Sequence, residues 1–294
     1  MVNDMITVVG AVAIDMIAVR ERFLEGTSNP SDIRLGLGGA GYRIFSNLEA
    51  PRRFITALAD DPISRWAREA LEEDGDVALQ IVKGRNASPP LHLALMESGS
   101  LKVAASDLRI VEQSLSLDFV TRQLGEPGQG DYLLLDANIS PQLLSSLVSR
   151  YASRTRVVFE PESVEKALRH AASLRGLFLL TPTEEEMQAL AAGEGASSRA
   201  APAGAAQGDA ARYLAKRRIE NILLMRVAGG TRLYSAAGAV DFPPAAVVPT
   251  QDTTGAVDLL LALLLSRLHE GAAIGDAVSS AMQSVEERLQ RGAV

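Results

Sequence analysis

Short apolar, β-branched runs alternate along this chain with amphipathic stretches, and that alternation limits the fold more than any other feature. Residues 6–12, 54–58, 132–135, 157–159, 177–180 and 222–225 contain no charged side chain. Such runs read as strands buried on both faces of a parallel sheet. Between them, residues 63–73, 141–151, 164–174, 184–191 and 209–218 place apolar residues at helical spacing. Strand and helix in alternation predict an α/β layered domain with helices on both faces of the sheet.

One stretch breaks the rhythm. Residues 91–96 and 101–105 are apolar and flank Glu97-Ser98-Gly99-Ser100, a hairpin with a glycine-containing turn. The polar stretch 20–37 can supply further strands beside it, making a small β appendage over one edge of the main sheet. Residues 191–208 are rich in Ala, Gly and Ser and read as a low-complexity surface loop. No internal repeat is present.

Composition removes several function classes. The chain has 29 Lys and Arg against 36 Asp and Glu, a net charge of −7, which argues against a nucleic-acid partner because phosphate neutralisation needs basic patches. A small anion remains possible, since backbone amides bind phosphate without net positive charge. With no cysteine, disulfides, thiolate nucleophiles and cysteine-held zinc are excluded. His92, His170 and His269 are far apart and form no His-x-x-x-His pair, so a zinc hydrolase is not expected. Asp4 and Asp15 surround the first apolar run without a basic leader, and residues 259–265 are too few to span a bilayer. A soluble, cytoplasmic protein without a membrane partner is expected.

Several predicted strands end in polar residues: Asp15, then Asp136 and Asn138, then Glu160. Ligands of open parallel sheets sit at the carboxyl ends of strands, and carboxylates there suit a polyhydroxylated ligand. Taken singly, helix capping and strand-end solvation account for each of them.

Two glycine-rich segments stand out. Gly36-Leu37-Gly38-Gly39-Ala40-Gly41 matches G-x-G-x-x-G, with Asp60 or Asp61 about 20 residues on for a ribose. Its context argues against a dinucleotide site, because the strongest N-terminal strand is not the one feeding this loop. A tight turn into a helix is the alternative. In the second segment, residues 251–258 (QDTTGAVD) precede an apolar helix. The free amides of Gly255, Ala256 and Val257 at its start would hold an anion, with Asp258 beside them in the first turn. A carboxylate next to an anion hole is what phosphoryl transfer to a hydroxyl requires. An ordinary capped core helix is the competing reading.

DTTGAVD resembles the DTTGAGD signature of the PfkB, or ribokinase-like, carbohydrate kinases, and the resemblance runs through nearly the whole chain. GAVAID (10–15) is similar to the family's opening strand, GLGGAGYRIFSNLEA (36–50) to its GGxxxN segment and helix, and residues 57–77 to its VGDDxxGxxxxxxLxxxGV element. TPTEEE (181–186) resembles TPNxxE. Within the family, residues 91–110, LLLDANIS (133–140) and EPESVEKA (160–167) resemble pseudouridine kinases.

The resemblance implies a single domain, 1–294, folded as a three-layer α/β/α sandwich with a mainly parallel sheet and a small β lid from 16–37 and 88–106. It implies an ATP- and Mg2+-dependent kinase acting on a hydroxymethyl group of a sugar or nucleoside, pseudouridine-like acceptors leading, and it admits a monovalent cation and a homodimer through the lid. Asp258 would be the base and Gly255, Ala256 and Val257 the anion hole. Asp15, Gly38, Gly39, Asn138 and the position of Arg43 would line the acceptor pocket. Thr183, Glu186, Gly230 and Thr253 would lie on the nucleotide side, with Glu186 organising the metal through water.

The chain also departs from the family pattern. Ala13 stands where Asn is frequent, Arg43 replaces the Asn of GGxxxN, and Ala59 and Ser64 replace glycines. Thr183 replaces the Asn of TPNxxE, Val227 and Val257 replace glycines, and Pro89 and Pro90 stand where pseudouridine kinases read TGT. Val257 keeps its amide as a donor, although its branched side chain crowds the phosphate. Arg43 is the most serious change: a fixed charge replaces a neutral amide, favouring an anionic acceptor or partly filling the pocket. Two other readings follow, a degenerate kinase that binds a nucleoside or nucleotide without efficient transfer, and an NAD(P)-dependent enzyme.

Overall fold

The computed structural model describes residues 4–84, 87–193, 205–226, 230–243 and 255–291. In chain order the strands are β1 (Ile6–Val9), β2 (Ala13–Arg20), β3 (Asp32–Gly38), β4 (Arg52–Ala59), β5 (Asp76–Val82), β6 (Leu91–Glu97) and β7 (Ser100–Asp107). They continue with β8 (Tyr132–Asp136), β9 (Arg156–Glu160), β10 (Leu179–Leu180), β11 (Asn221–Arg226), β12 (Gly230–Ser235) and β13 (Gly238–Phe242). The helices are α1 (Ala40–Asn47), α2 (Pro62–Asp74), α3 (Arg109–Ser114), α4 (Leu117–Leu124) and α5 (Pro141–Tyr151). After them come α6 (Val164–His170), α7 (Glu184–Ala192), α8 (Ala205–Arg217), α9 (Ala256–His269) and α10 (Ile274–Gln290).

Nine strands form the main sheet in the order β13-β12-β11-β10-β9-β8-β1-β4-β5. From β11 to β5 all neighbours are parallel, and β12 and β13 extend one edge antiparallel. Alternate residues of each central strand enter opposite cores. Val9, Leu133, Leu135, Val157 and Phe159 pack with α5, α6 and α7 on one face. Ile6, Val8, Leu134, Val158 and Leu223 pack with α1, α9 and α10 on the other. Each fully buried Leu, Ile or Val contributes about 1.5–3 kcal/mol, which is why the charge-free runs become the central strands. Helix starts follow local chemistry: Asp61, Ser116, Ser140, Ser163 and Thr183 all cap with their side-chain oxygens.

A second sheet of four strands runs β3-β2-β6-β7, with β2 and β6 parallel and the other pairs antiparallel. Ser98 and Gly99, both at positive φ, make the two-residue turn of the β6–β7 hairpin. This sheet faces the carboxyl ends of β9 and β10 across a cavity, rather than covering an edge of the main sheet.

The predicted run 6–12 divides: β1 ends at Val9 and the chain crosses at Gly10 to Val12 into the second sheet. A Cβ at Gly10 would overlap the Asp136 carboxyl, whose Oδ2 accepts from Ala11 N at 2.8 Å. β5, β12 and β13 carry charged or exposed residues and lack the continuous apolar signal of a central strand. Of the predicted loop 191–208, residues 194–204 lie outside the described residues; α7 runs through Ala192 and α8 starts at Ala205. No described helix is long and apolar enough to cross a membrane.

Candidate active site

The segment Gly36 to Gly41 closes β3 and opens α1. It is fed by the small sheet, so it is not the strand–turn–helix of a dinucleotide-binding unit. Gly39 caps α1 at φ 89°, and a Cβ there would come within 2.9 Å of Ala11 O. At Gly38 a Cβ would overlap the Asp15 carboxyl. Both glycines exist to let α1 and β2 approach each other closely.

Asp136 locks this junction. Its buried carboxylate accepts from the amides of Ala11 at 2.8 Å, Gly41 at 3.1 Å and Asn138 at 2.9 Å. Burial, helped by Glu162, pushes its pKa up to about 6, against the pull of the Ala11 and Asn138 amides. This strand-end carboxylate is a structural tie between β1, α1 and β8.

Asp15 leaves β2 into a cavity of about 330 Å³, lined also by Arg43, His92, Ser106, Glu160, Glu162, Glu186, Val257 and Asp258. Ala13, Gly39, Thr181 and Thr183 complete much of its wall. In register across the small sheet, Asp15 neighbours His92 and His92 neighbours Ser106, and His92 Nδ1 lies 2.6 Å from Ser106 Oγ. Arg43 donates from Nη2 to Asp15 Oδ2 at 2.9 Å, while its Nη1 lies 3.9 Å from Asp258 Oδ2. Asp15 Oδ1 is buried without a hydrogen-bond partner.

Gly255, left-handed at φ 82°, is the N-cap of α9, and among the described residues no side chain caps the helix. The first-turn amides of a helix have no intrahelical acceptor, and Asp258 lies in that turn. Burial raises the Asp258 pKa to about 7; Arg43 opposes this, while Glu162 and Asp136 add to it. Val257 lines the cavity with 40% of its surface exposed.

A cluster of acids faces Asp258 from β9 and α7. Glu160 is buried with Oε2 unpartnered, and burial, then Asp258, push its pKa well above the ordinary carboxylate value. Glu162 sits at φ 61°, a left-handed conformation unusual for a non-glycine residue, and its amide donates to Glu160 Oε1 at 2.9 Å. Glu186 closes a capping box with Thr183 and is raised chiefly by burial. Among the described residues no three acidic or histidine side chains converge to hold a metal directly. The orphaned Glu160 oxygen and the acid cluster instead fit a hydrated divalent cation held through water.

Of the residues expected at the site, Asp15, Gly39, Arg43, Thr183, Glu186, Val257 and Asp258 line the one cavity. Gly38 backs Asp15, and Gly255 and Ala256 open α9. Asn138 is not among the lining residues: its amide donates to Glu162 and its oxygen accepts from Lys166 at 2.6 Å. Gly230 starts β12; Thr253 and Val227 lie outside the described residues. Glu162, His92 and Ser106 also line the cavity and were not singled out by the sequence. Glu160 was visible as a strand-end carboxylate, whereas the others carry no local signal.

The chain is similar to the pseudouridine-metabolizing bifunctional protein of Schizosaccharomyces pombe, 26% identical over 193 residues, which cover 62% of this chain and 25% of that protein. The chain thus spans about a quarter of the length of the curated relative it matches. Its fold is that of the Thermotoga maritima ribokinase, with a TM-score of 0.83 at 20% identity over 98% of this chain and 93% of that one. The Arabidopsis thaliana ribokinase complexed with ribose and ATP superposes with a TM-score of 0.77 at 18% identity, covering 99% and 93%. Residues 3–288 match the description pfkB family carbohydrate kinase, and the chain belongs to that family.

Proposed function

We propose that this protein transfers a phosphoryl group from ATP to a hydroxymethyl group of a neutral, pseudouridine-like nucleoside. The observation that carries this reading is that Asp258, in the first turn of α9, shares one cavity with Asp15. Asp15 would accept hydrogen bonds from acceptor hydroxyls, one of them at its unpartnered Oδ1. Asp258 would take the proton of the attacking hydroxyl as its oxygen bonds to phosphorus and ADP departs. The amides of Gly255, Ala256 and Val257 would stabilise the charge gathering on the moving phosphoryl oxygens.

Mg2+, when bound, neutralises phosphate charge; Glu186, and the acceptor left open on Glu160, would hold it through water. Arg43 shares its charge between Asp15 and Asp258, and Glu160, Glu162 and Glu186 line the same cavity. That balance supports a neutral acceptor over an anionic one. The cavity volume sits at the small end of the roughly 300–1,000 Å³ range of small-molecule sites. The likeness to the S. pombe protein supports the nucleoside over a free sugar.

The small sheet would act as the lid. Its outer face presents Ile33, Leu35, Leu93 and Val103, all at least 45% exposed and in neighbouring register positions, which supports a homodimer formed through this face. The experiment that tests the function is ADP release with ATP and Mg2+ across pseudouridine, common nucleosides, ribose and fructose 6-phosphate, with intact mass of each product. A product 80 Da heavier than pseudouridine (the mass of a transferred phosphoryl group) is expected; ADP without a phosphorylated acceptor, or no turnover on any acceptor, refutes the reading.

A further inference from the structure

Among the described residues lining the cavity, Arg43 is the one Lys or Arg, beside five carboxylates. Its stem packs across the start of α9, where a Cβ on Gly255 would sit 3.7 Å from Arg43 Cδ. From there the guanidinium spans two carboxylates on opposite walls: Asp15 of the small sheet at 2.9 Å and Asp258 of α9 at 3.9 Å. Both carboxylates are largely withdrawn from solvent, at 8% and 13% side-chain exposure, so water screens these interactions weakly.

We propose that Arg43 is a positioning residue that links the acceptor-gripping carboxylate of Asp15 to the base Asp258 across the cavity and favours the anionic form of that base. The proposal rests on the kinase reading for the names of these roles, but its electrostatics stand independently. Among the described residues, carboxylates surround Asp258 from β8, β9 and α7, with Lys166 paired to Glu162 at 2.6 Å. Asp136 ends β8, Glu160 and Glu162 follow β9, and Glu186 lies on α7. From the small sheet, Asp15 and the His92–Ser106 pair line the same cavity. Burial, Glu162 and Asp136 favour a protonated Asp258, and Arg43 opposes them. An opposite charge within about 4–6 Å shifts a carboxylate by one or more pH units, so the guanidinium decides whether the base is charged near neutral pH.

The linkage also runs toward the acceptor. A hydroxyl that donates to Asp15 competes with Arg43 for the same carboxylate, and a guanidinium released from Asp15 remains within reach of Asp258. Occupancy of the acceptor site and ionisation of the base are thereby coupled through one side chain.

The test is the carboxyl 13C titration of Asp258, assigned by its loss in Asp258→Asn, in the full chain without nucleotide or acceptor. Arg43→Met removes the charge, Arg43→Gln keeps a donor for Asp15 without charge, and Arg43→Lys keeps a charge; thermal midpoints report on folding. Both neutral variants should move the Asp258 midpoint upward by about one pH unit, with Arg43→Lys staying near wild type. The acid limb of kcat/KM should move with it. An unchanged midpoint in the neutral variants, or an equal shift in all three, overturns the proposal. A wild-type protein that phosphorylates nothing refutes the kinase reading while the titration still decides this one.

Discussion

Arg43 and Asp15 meet at 2.9 Å across the cavity, one on α1 and the other on β2 of the small sheet. The ion pair ties the two layers together at the point where an acceptor would enter. Because α1 starts at Gly39, which closes against the backbone of Ala11 and Ala13, any shift of the small sheet must be absorbed by this junction.

Replacing Asp258 by Asn should lower turnover by about 10²–10⁴-fold while ATP and acceptor affinities, read by calorimetry, change only a few-fold. Unaltered turnover removes Asp258 as the base.

The same substitution carries a stability signature. Burial raises the Asp258 pKa from 3.8 to about 7, so between those values the folded chain holds a proton that the unfolded chain has released. Stability from this group is full below about pH 4 and is lost as pH rises through 7. Asp258→Asn should therefore be more stable at pH 8 by roughly 2–4 kcal/mol and show a flatter profile from pH 4 to 8. Urea denaturation at several pH values checks this.

Gly38→Ala would drive a methyl group into the Asp15 carboxyl, whereas Gly36→Ala meets nothing within 4 Å. The first should raise the acceptor KM by about tenfold or more, leaving the KM for ATP in place, which corresponds to about 1.4 kcal/mol of lost binding. The second should behave as wild type. Steady-state kinetics with both substrates varied separates the two.

Asp136→Ala should cost roughly 3 kcal/mol or more, since three buried amides lose their common acceptor. A midpoint of unfolding within error of wild type would show that solvent replaces the carboxylate freely.

Glu186→Gln keeps a residue able to complete the capping box with Thr183, so stability should change by less than about 0.5 kcal/mol. With Glu186 holding Mg2+ through water as proposed, the Mg2+ concentration for half-maximal rate should rise about tenfold, because one charge facing the cation is removed. Titrating Mg2+ at fixed ATP measures it.

Leu93→Glu combined with Val103→Glu places charge on the exposed outer face of the small sheet. Light scattering should find a dimer for wild type and a monomer for this variant; a wild-type monomer at micromolar concentration ends the lid-dimer reading.

Much of the architecture is local chemistry and was legible as such. The helix Pro141–Tyr151 is bounded by a Ser140 cap and a first-turn proline, and the hairpin of β6 and β7 by Ser98 and Gly99. By contrast β5 and the β12–β13 hairpin, partly solvated at the sheet edges, carry no charge-free run that distinguishes them from loops.

At the site the division is sharper. Sequence by itself determined the alternation of strands and helices, the glycines at the α1 and α9 starts, and the presence of Glu186 and Asp258 in first helical turns, because caps, turns and periodicity act between residues a few positions apart; Asp15, expected to end the first strand, lies instead within β2 of the small sheet. Only the tertiary structure decided that Arg43 is shared by Asp15 and Asp258, that Asn138 is held by Glu162 and Lys166, and that Glu160 keeps an unmet oxygen. Those relationships join segments far apart in the chain, and their charges acquire meaning only when folding withdraws them together from water.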